Sequence, residues 1–476
     1  MVKKRKGNKD DSKGQKKKNT ENDCSKNDQI MIEEIFERFP TLSEGIFGRL
    51  DNRSLASCRE VSKAWKEYVD IQRIYWIRKI MKYANRRRHF SWYSNPQGRF
   101  HGEWKMILDK TPIEFLKKLA RFVWLAPKTE SSPLYVAGAI GDIELFQSIK
   151  EKTGLKEDSK NSLGETPLTV AACNNHLNLC KVIIEELQNK NPGCNKGATP
   201  LHHAASIGHF NVCELIMERL LEKNPGSNRG TTPLHHAARN GHLKVCQLII
   251  DKVANISPKT NKGNTPLHLA AREGHYKICQ ILLKKMQEKN PENNKEITPL
   301  HLAAQSGHYD ICNLIMDVVD EKMPRDEKDN TPLHCAATGG FFNICQLICE
   351  KISGNRLRLR SKSKIEVQDM NPENEEGYTP LHLAAEFGHF EVFKFIFLNT
   401  KSKNPLDGKC VTPLHLAIQF GRFDICEFIC LNLEHEDKNP KNSEGKTPLH
   451  LAARYGHFDV CKLLCLNHQK KNPMDY

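Results

Sequence analysis

Beyond residue 131 the apolar positions fall into short stripes at helical spacing, and the stripes come in pairs. In "FNVCELIMERLLEK" (Phe210–Lys223), Val212, Cys213, Leu215 and Ile216 share one helical face. Just upstream, "TPLHHAASIGH" opens on Thr199, a good helix cap, and on Pro200, whose fixed φ suits a first turn. Leu201 is expected to point into the core, and Ala204-Ala205 to keep this helix thin enough for close packing. Gly208-His209 ends it, the glycine being free to take the left-handed conformation after a helix. Asn224-Pro225 is expected to stop the second helix, which the Lys-Asn-Pro sequence lets run slightly long. A polar loop with glycine then leads to the next threonine.

This unit is copied along the chain. "TPLT" starts at Thr166, and "TPLH" at Thr199, Thr232, Thr265, Thr298, Thr331, Thr379, Thr412 and Thr447. The spacing is 33 from Thr166 to Thr331, then 48, 33 and 35, and a degenerate "SPLY" at Ser132 lies 34 residues before Thr166. Ten units result, with a 15-residue insertion near 351–370. The units resemble ankyrin repeats, whose T-P-L-H-x-A signature has this period. The resemblance covers about residues 131–476. It implies an all-α solenoid of stacked helix pairs with β-hairpin fingers, held by nearest-neighbour interfaces. It also implies that the TPLH histidines tie helix starts to neighbouring loops. The tenth unit closes on Asn472-Pro473, so no separate polar cap is expected.

Composition removes several function classes. Eight cysteines (Cys180, Cys213, Cys246, Cys279, Cys312, Cys345, Cys426, Cys461) hold one place in successive repeats, as a buried small hydrophobe does in a reducing compartment. Cys345/Cys349, Cys426/Cys430 and Cys461/Cys465 lie four apart but lack the paired spacing of zinc modules. Fifteen of the 21 histidines sit in TPLH or Gly-His-type positions, so neither a metal nor a cofactor is expected. Nucleotide-binding, hydrolase and metalloprotease motifs are missing, which points away from an enzyme. No apolar run suggests a leader or a membrane span, so the expected setting is the cytoplasm or nucleus, without a membrane partner.

Charge divides the chain. Residues 1–130 hold 30 Lys/Arg against 17 Asp/Glu (+13) and all five tryptophans, whereas residues 131–476 hold 42 against 40 (+2). Residues 1–28 read as a disordered basic tail whose "KKRK" and "KKK" clusters match both a two-part nuclear import signal and a solubilising tail. From Met31 the pattern turns amphipathic. "MIEEIFERFP", "LSEGIFGRL" and "LDNRSLASCREVSKAW" predict two or three short helices, too few to bury a core unaided. Residues 81–130 are read as a helical linker or cap, including a helix over Thr111–Ala126. There "RRRHFSWY" mixes basic and aromatic residues at irregular spacing and matches no module, so nucleic acid is not an expected partner.

Within 29–80 the order Phe39-Pro40, Leu42, Ile46-Phe47, Leu50, Leu55, Cys58, Val61-Ser62, Trp65 resembles an F-box, with Phe39 where that motif usually has leucine. The resemblance implies that these residues dock onto the S-phase-kinase-associated adaptor of a cullin-RING ubiquitin ligase, while the second domain captures a protein substrate. The chain would then be a non-catalytic recognition subunit. Two other readings stay open, an ankyrin scaffold whose head is only a cap and a nuclear factor using its basic head on nucleic acid.

Framework residues hold the stack, so contacts in the array must use positions free to vary. The second residue after Ala-Ala reads Asn174, Ile207, Asn240, Glu273, Ser306, Gly339, Phe387, Phe420, Tyr455. The residue before each threonine reads Glu165, Ala198, Thr231, Asn264, Ile297, Asn330, Tyr378, Val411, Lys446. Apolar and aromatic residues gather in the last three repeats. Tyr378, Phe387, Val411, Phe420, Arg454 and Tyr455 are therefore the candidate substrate-binding residues, with mutual packing across repeats as the competing role. The basic "NRLRLRSKSK" (355–364) of the insertion is read as a solvated loop or as a contact for an acidic partner.

Overall fold

The structure is a computed structural model, and it describes residues 133–358, 370–433 and 440–469. The head, including Thr111–Ala126 and every F-box position, lies outside the described residues. All regular structure among the described residues is α-helical. The chain divides into two compact units, Met1–Leu187 and Gln188–Tyr476.

In the first unit, α1 (Pro133–Ile140), α2 (Ile143–Thr153), α3 (Pro167–Cys173) and α4 (Leu177–Glu186) form two stacked pairs. Gly138 is what lets α1 and α3 touch, because a Cβ there would lie 2.8 Å from the Pro167 carbonyl oxygen. Tyr135 takes the place of the TPLH histidine, and its hydroxyl donates to the Glu165 carboxylate at 3.0 Å.

The second unit stacks eight pairs. Its first helices are α5 (Pro200–Ile207), α7 (Pro233–Arg239), α9 (Pro266–Arg272), α11 (Pro299–Gln305), α13 (Pro332–Gly339), α15 (Pro380–Phe387), α17 (Pro413–Gln419) and α19 (Pro448–Tyr455). Its second helices are α6 (Phe210–Glu218), α8 (Leu243–Lys252), α10 (Tyr276–Lys285), α12 (Tyr309–Val318), α14 (Phe342–Arg358), α16 (Phe390–Asn399), α18 (Phe423–Asn432) and α20 (Phe458–Gln469). Like packs on like, first helix on first helix and second on second. From α5 to α15 the core is the Leu and Ala-Ala of each first helix against the apolar stripe of each second helix, with Ile418 in place of the second alanine in α17 and Ala453 exposed in α19. In α6 that stripe is Val212, Cys213, Ile216 and Met217, so Met217 is buried and the expected Leu215 flanks the core.

The TPLH histidines are the cross-ties. In the first of them, the Thr199 N–H donates to His202 Nδ1 at 3.1 Å, and His202 Nε2 lies 2.9 Å from the Thr231 carbonyl oxygen of the next finger. One main-chain donor and one main-chain acceptor fix both ring nitrogens, so the imidazole is neutral with its proton on Nε2. The same pair of bonds recurs at His235, His268, His301, His334, His382 and His415. The Gly-His histidines tie backward, as His242 Nε2 does to the Ser206 carbonyl at 3.0 Å.

Three expectations change. The fingers are tight turns, with no strand among the described residues: Cys194 N reaches Ala198 O at 2.8 Å, and Asn228 N joins the next finger to Lys196 O at 3.1 Å. The second helices do not run on to Asn-Pro. α6 ends at Glu218, and Lys223 folds back so that its amine also donates to the Met217 carbonyl in the last turn. Asn224 Oδ1 accepts from the Leu234 N–H at 3.0 Å, which secures the start of the next first helix. Lys-Asn-Pro is thus a clamp between two helix ends. The insertion, finally, begins as helix, since α14 continues to Arg358. Residues 359–369 lie outside the described residues.

Candidate protein-binding surface

The inner column is set by register. Phe387, Phe420 and Tyr455 each come at the end of a first helix, just before a left-handed glycine (Gly388, Gly421 and Gly456, φ +80°, +67° and +73°). Because α15, α17 and α19 pack side by side, these rings follow one another at about 10 Å, the usual spacing of packed helices. They are 45, 42 and 44 % exposed.

The rings do not pack on each other. Phe387 stacks on His389 of its own repeat (6.4 Å between centroids, 16°), and Tyr455 on His457 (6.4 Å, 29°). Among the described residues no ring pair joins Phe387, Phe420 and Tyr455. The Arg454 guanidinium lies 5.9 Å from the Tyr455 ring centroid. Mutual packing therefore does not account for these three rings.

The finger residues are more sheltered. Tyr378 is half-buried, its ring 5.4 Å from His382, its N–H on Asn374 Oδ1 at 2.8 Å. Burial and then the charges of Glu386, Asp407 and Glu376 raise its hydroxyl pKa, which keeps the phenol neutral. Val411 is half-buried, and Asp407 Oδ1 holds its N–H at 2.7 Å. The structure thus presents the four residues of the first-helix ends (Phe387, Phe420, Arg454, Tyr455) as exposed and the two finger residues as partly covered. What sequence reading missed is Glu386, next to Phe387, whose carboxyl pKa is raised by burial.

A cleft of about 500 Å³, between the loops around Lys223 and Val253, lies elsewhere in the unit. Among the described residues no cluster of His, Cys, Asp or Glu is arranged to hold a metal, and no helix is long and apolar enough to cross a membrane. Burial pushes the Cys213 and Cys246 thiols up to about 12, so these are packing groups.

Phe420→Ala is expected to weaken partner capture by about tenfold, while lowering the thermal midpoint by no more than about 2 °C. Cross-linking yield and a melting curve on the same preparation read both. A large drop in melting with capture unchanged would make the ring a packing group.

A family model described as ankyrin repeats (3 copies) matches over 134–225, 215–293, 286–361, 355–442 and 399–475. A second model, described as F-box domain, matches residues 36–77. The stretch from Phe39 to Trp65 falls inside it, though outside the described residues. No curated protein matches the chain.

Proposed function

From a chain that belongs to the ankyrin-repeat family and carries an F-box domain, we propose a substrate-recognition subunit of a cullin-RING ubiquitin ligase. In this reading the apolar residues of the F-box, Leu55, Val61 and Trp65 among them, dock the S-phase-kinase-associated adaptor. The array holds the protein to be modified, with Phe387, Phe420, Arg454 and Tyr455 as its anchor. Ubiquitin transfer itself belongs to other subunits.

The F-box match ahead of the array carries the reading. An adaptor motif and a contact surface on one chain place two proteins near each other, which is what a receptor subunit does. Exposed aromatic and arginine side chains on a rigid frame are the residue types that dominate protein–protein binding energy.

The test is capture of purified adaptor and cullin by the full chain, beside a Leu55→Asp, Val61→Asp variant. Wild-type capture with loss of at least a hundredfold in the variant is expected, because two charges would enter an apolar interface. The variant's far-UV spectrum and melting curve must match the wild type. No capture by the wild-type chain would leave an ankyrin scaffold with a helical cap.

A further inference from the structure

A second surface runs along the finger tips. The turns at 194–198, 227–231, 260–264 and 293–297 place Lys196, Arg229, Lys262 and Lys295 at the same point of successive fingers, all exposed. The residue before each is asparagine, and three of these side chains bond backward. Asn228 Nδ2 donates to Asn195 O at 3.1 Å, Asn261 Nδ2 to Asn228 O at 3.0 Å, and Asn294 Nδ2 to Asn261 O at 3.0 Å. The backbone runs a parallel set, from Asn228 N to Lys196 O, Asn261 N to Arg229 O, and Asn294 N to Lys262 O. Each tip is thus fixed to the next by two hydrogen bonds, and the four basic side chains leave a rigid edge at even intervals.

The charge along this edge is uneven in a telling way. Lys196, Arg229 and Lys262 have no ion-pair partner among the described residues, and their finger turns contain no carboxylate. Lys295 pairs with Glu327 at 2.6 Å. The next turn holds Asp326, Glu327 and Asp329, and the asparagine ladder stops where Glu327 replaces asparagine. The array as a whole is near neutral, so this is a local feature.

We infer that the finger tips at Lys196, Arg229 and Lys262 form a docking rail for an extended acidic segment of a partner protein. The tips follow one another at about 10 Å, as packed helices do. A segment in the polyproline II conformation advances about 3.1 Å per residue with three residues per turn, so carboxylates at every third position share one face and meet one tip after another. A single-stranded nucleic acid fits less well. Its binding uses aromatic platforms for the bases, and these turns offer only Cys, Asn, Ser, Thr, Gly, Ala and the basic residues. The inference does not rest on the ligase reading, and its test contains no adaptor.

The probe is a fluorescent 18-residue peptide with glutamate at every third position and glycine or serine between, titrated by anisotropy against the full chain. The variant is Lys196→Glu, Arg229→Glu, Lys262→Glu. A second triple, Lys244→Glu, Lys277→Glu, Lys284→Glu, makes the same charge change at exposed positions of the second helices. It also shares the basic head. The rail predicts at least a tenfold loss in the tip variant, a change under twofold in the control, and a shallower salt dependence only in the former. Equal losses in both triples, no loss in either, or no binding of the peptide by the wild type would overturn it. Tighter binding of an oligothymidylate with the same dependence on the three tips would also overturn it, in favour of nucleic acid.

Discussion

Between pH 6.5 and pH 4 the second unit is expected to lose most or all of its stability. The cause is the row of cross-tie histidines. Burial pushes the rings of His202, His235, His268, His334 and His382 down from 6.5 to about 4, and it lowers those of His301 and His415 as well. The hydrogen bond at Nδ1 gives the same direction, whereas the one from Nε2 to the finger carbonyl works against burial and is outweighed by it. A proton on Nδ1 would face the Thr N–H that now donates to it, and one of the two donors would have to leave. In the unfolded chain these rings titrate near 6.5, so across this window the unfolded state binds more protons than the folded one. Stability is therefore full above pH 6.5, falls as pH drops through the window, and is lowest below pH 4.

The magnitude is large because the sites add. At pH 5 each of the five rings contributes a loss of about 2 kcal/mol, and together they cost roughly 10 kcal/mol, comparable with the whole stability of a folded domain. Ordinary carboxylates titrate too low to mimic this above pH 5. Far-UV circular dichroism at pH 7.5, 6.5, 5.5 and 4.5 should show helix loss centred between 5 and 6. An array that keeps its helices and its melting midpoint at pH 4.5 would sink the idea.

The second large effect is expected from Phe393→Cys, a change that makes one repeat look more like the others. Phe393 and Phe397 occupy the places that Cys345 and Cys349, or Cys426 and Cys430, hold in the flanking repeats. Both rings are buried, Phe393 completely. Phe428 of α18 sits edge-on to them at 6.3 and 5.3 Å. Cysteine would leave most of the ring volume empty in a frame pinned on both sides by finger bonds and histidine ties. Truncating a buried phenylalanine costs about 3–5 kcal/mol, and the sulfur recovers a small part, so a loss of about 3 kcal/mol is expected. Each repeat leans only on its neighbours, so the damage should stay local. Hydrogen exchange should quicken in α13–α18 and stay unchanged in α5–α9. A uniform change along the unit, or a loss under about 1 kcal/mol, would show that the site collapses around the smaller side chain.

The repeat was readable from sequence because its information is local. Thr-Pro-Leu-His carries its own cap, its own start and its own cross-tie within four residues. The clamp at Lys223-Asn224 was not readable, because the lysine acts on a carbonyl six residues back and the asparagine on an N–H ten residues ahead. A pattern of apolar stripes records neither. The choice between Leu215 and Met217 failed for a related reason. Both fit a helical stripe, and the stack decided which one faces inward. The aromatic run at Phe387, Phe420 and Tyr455 was visible as a column, but only the geometry showed that Phe387 and Tyr455 stack on histidines of their own repeats.

The cross-tie also explains how such a chain can change its partner without losing its fold. The oxygen that accepts from each histidine is a main-chain oxygen, and it belongs to the residue whose half-buried side chain differs from finger to finger. Thr231, Asn264, Ile297, Asn330, Tyr378, Val411 and Lys446 all fill that post, at 2.9–3.3 Å from the histidine nitrogen. A polar amide, a branched alkyl group, a phenol and an amine are equally acceptable to the frame, since every amino acid brings the same carbonyl. Inheritance of the scaffold and diversification of its specificity are thus written in different atoms of one residue. These seven positions are where randomisation should yield new binders with unaltered melting.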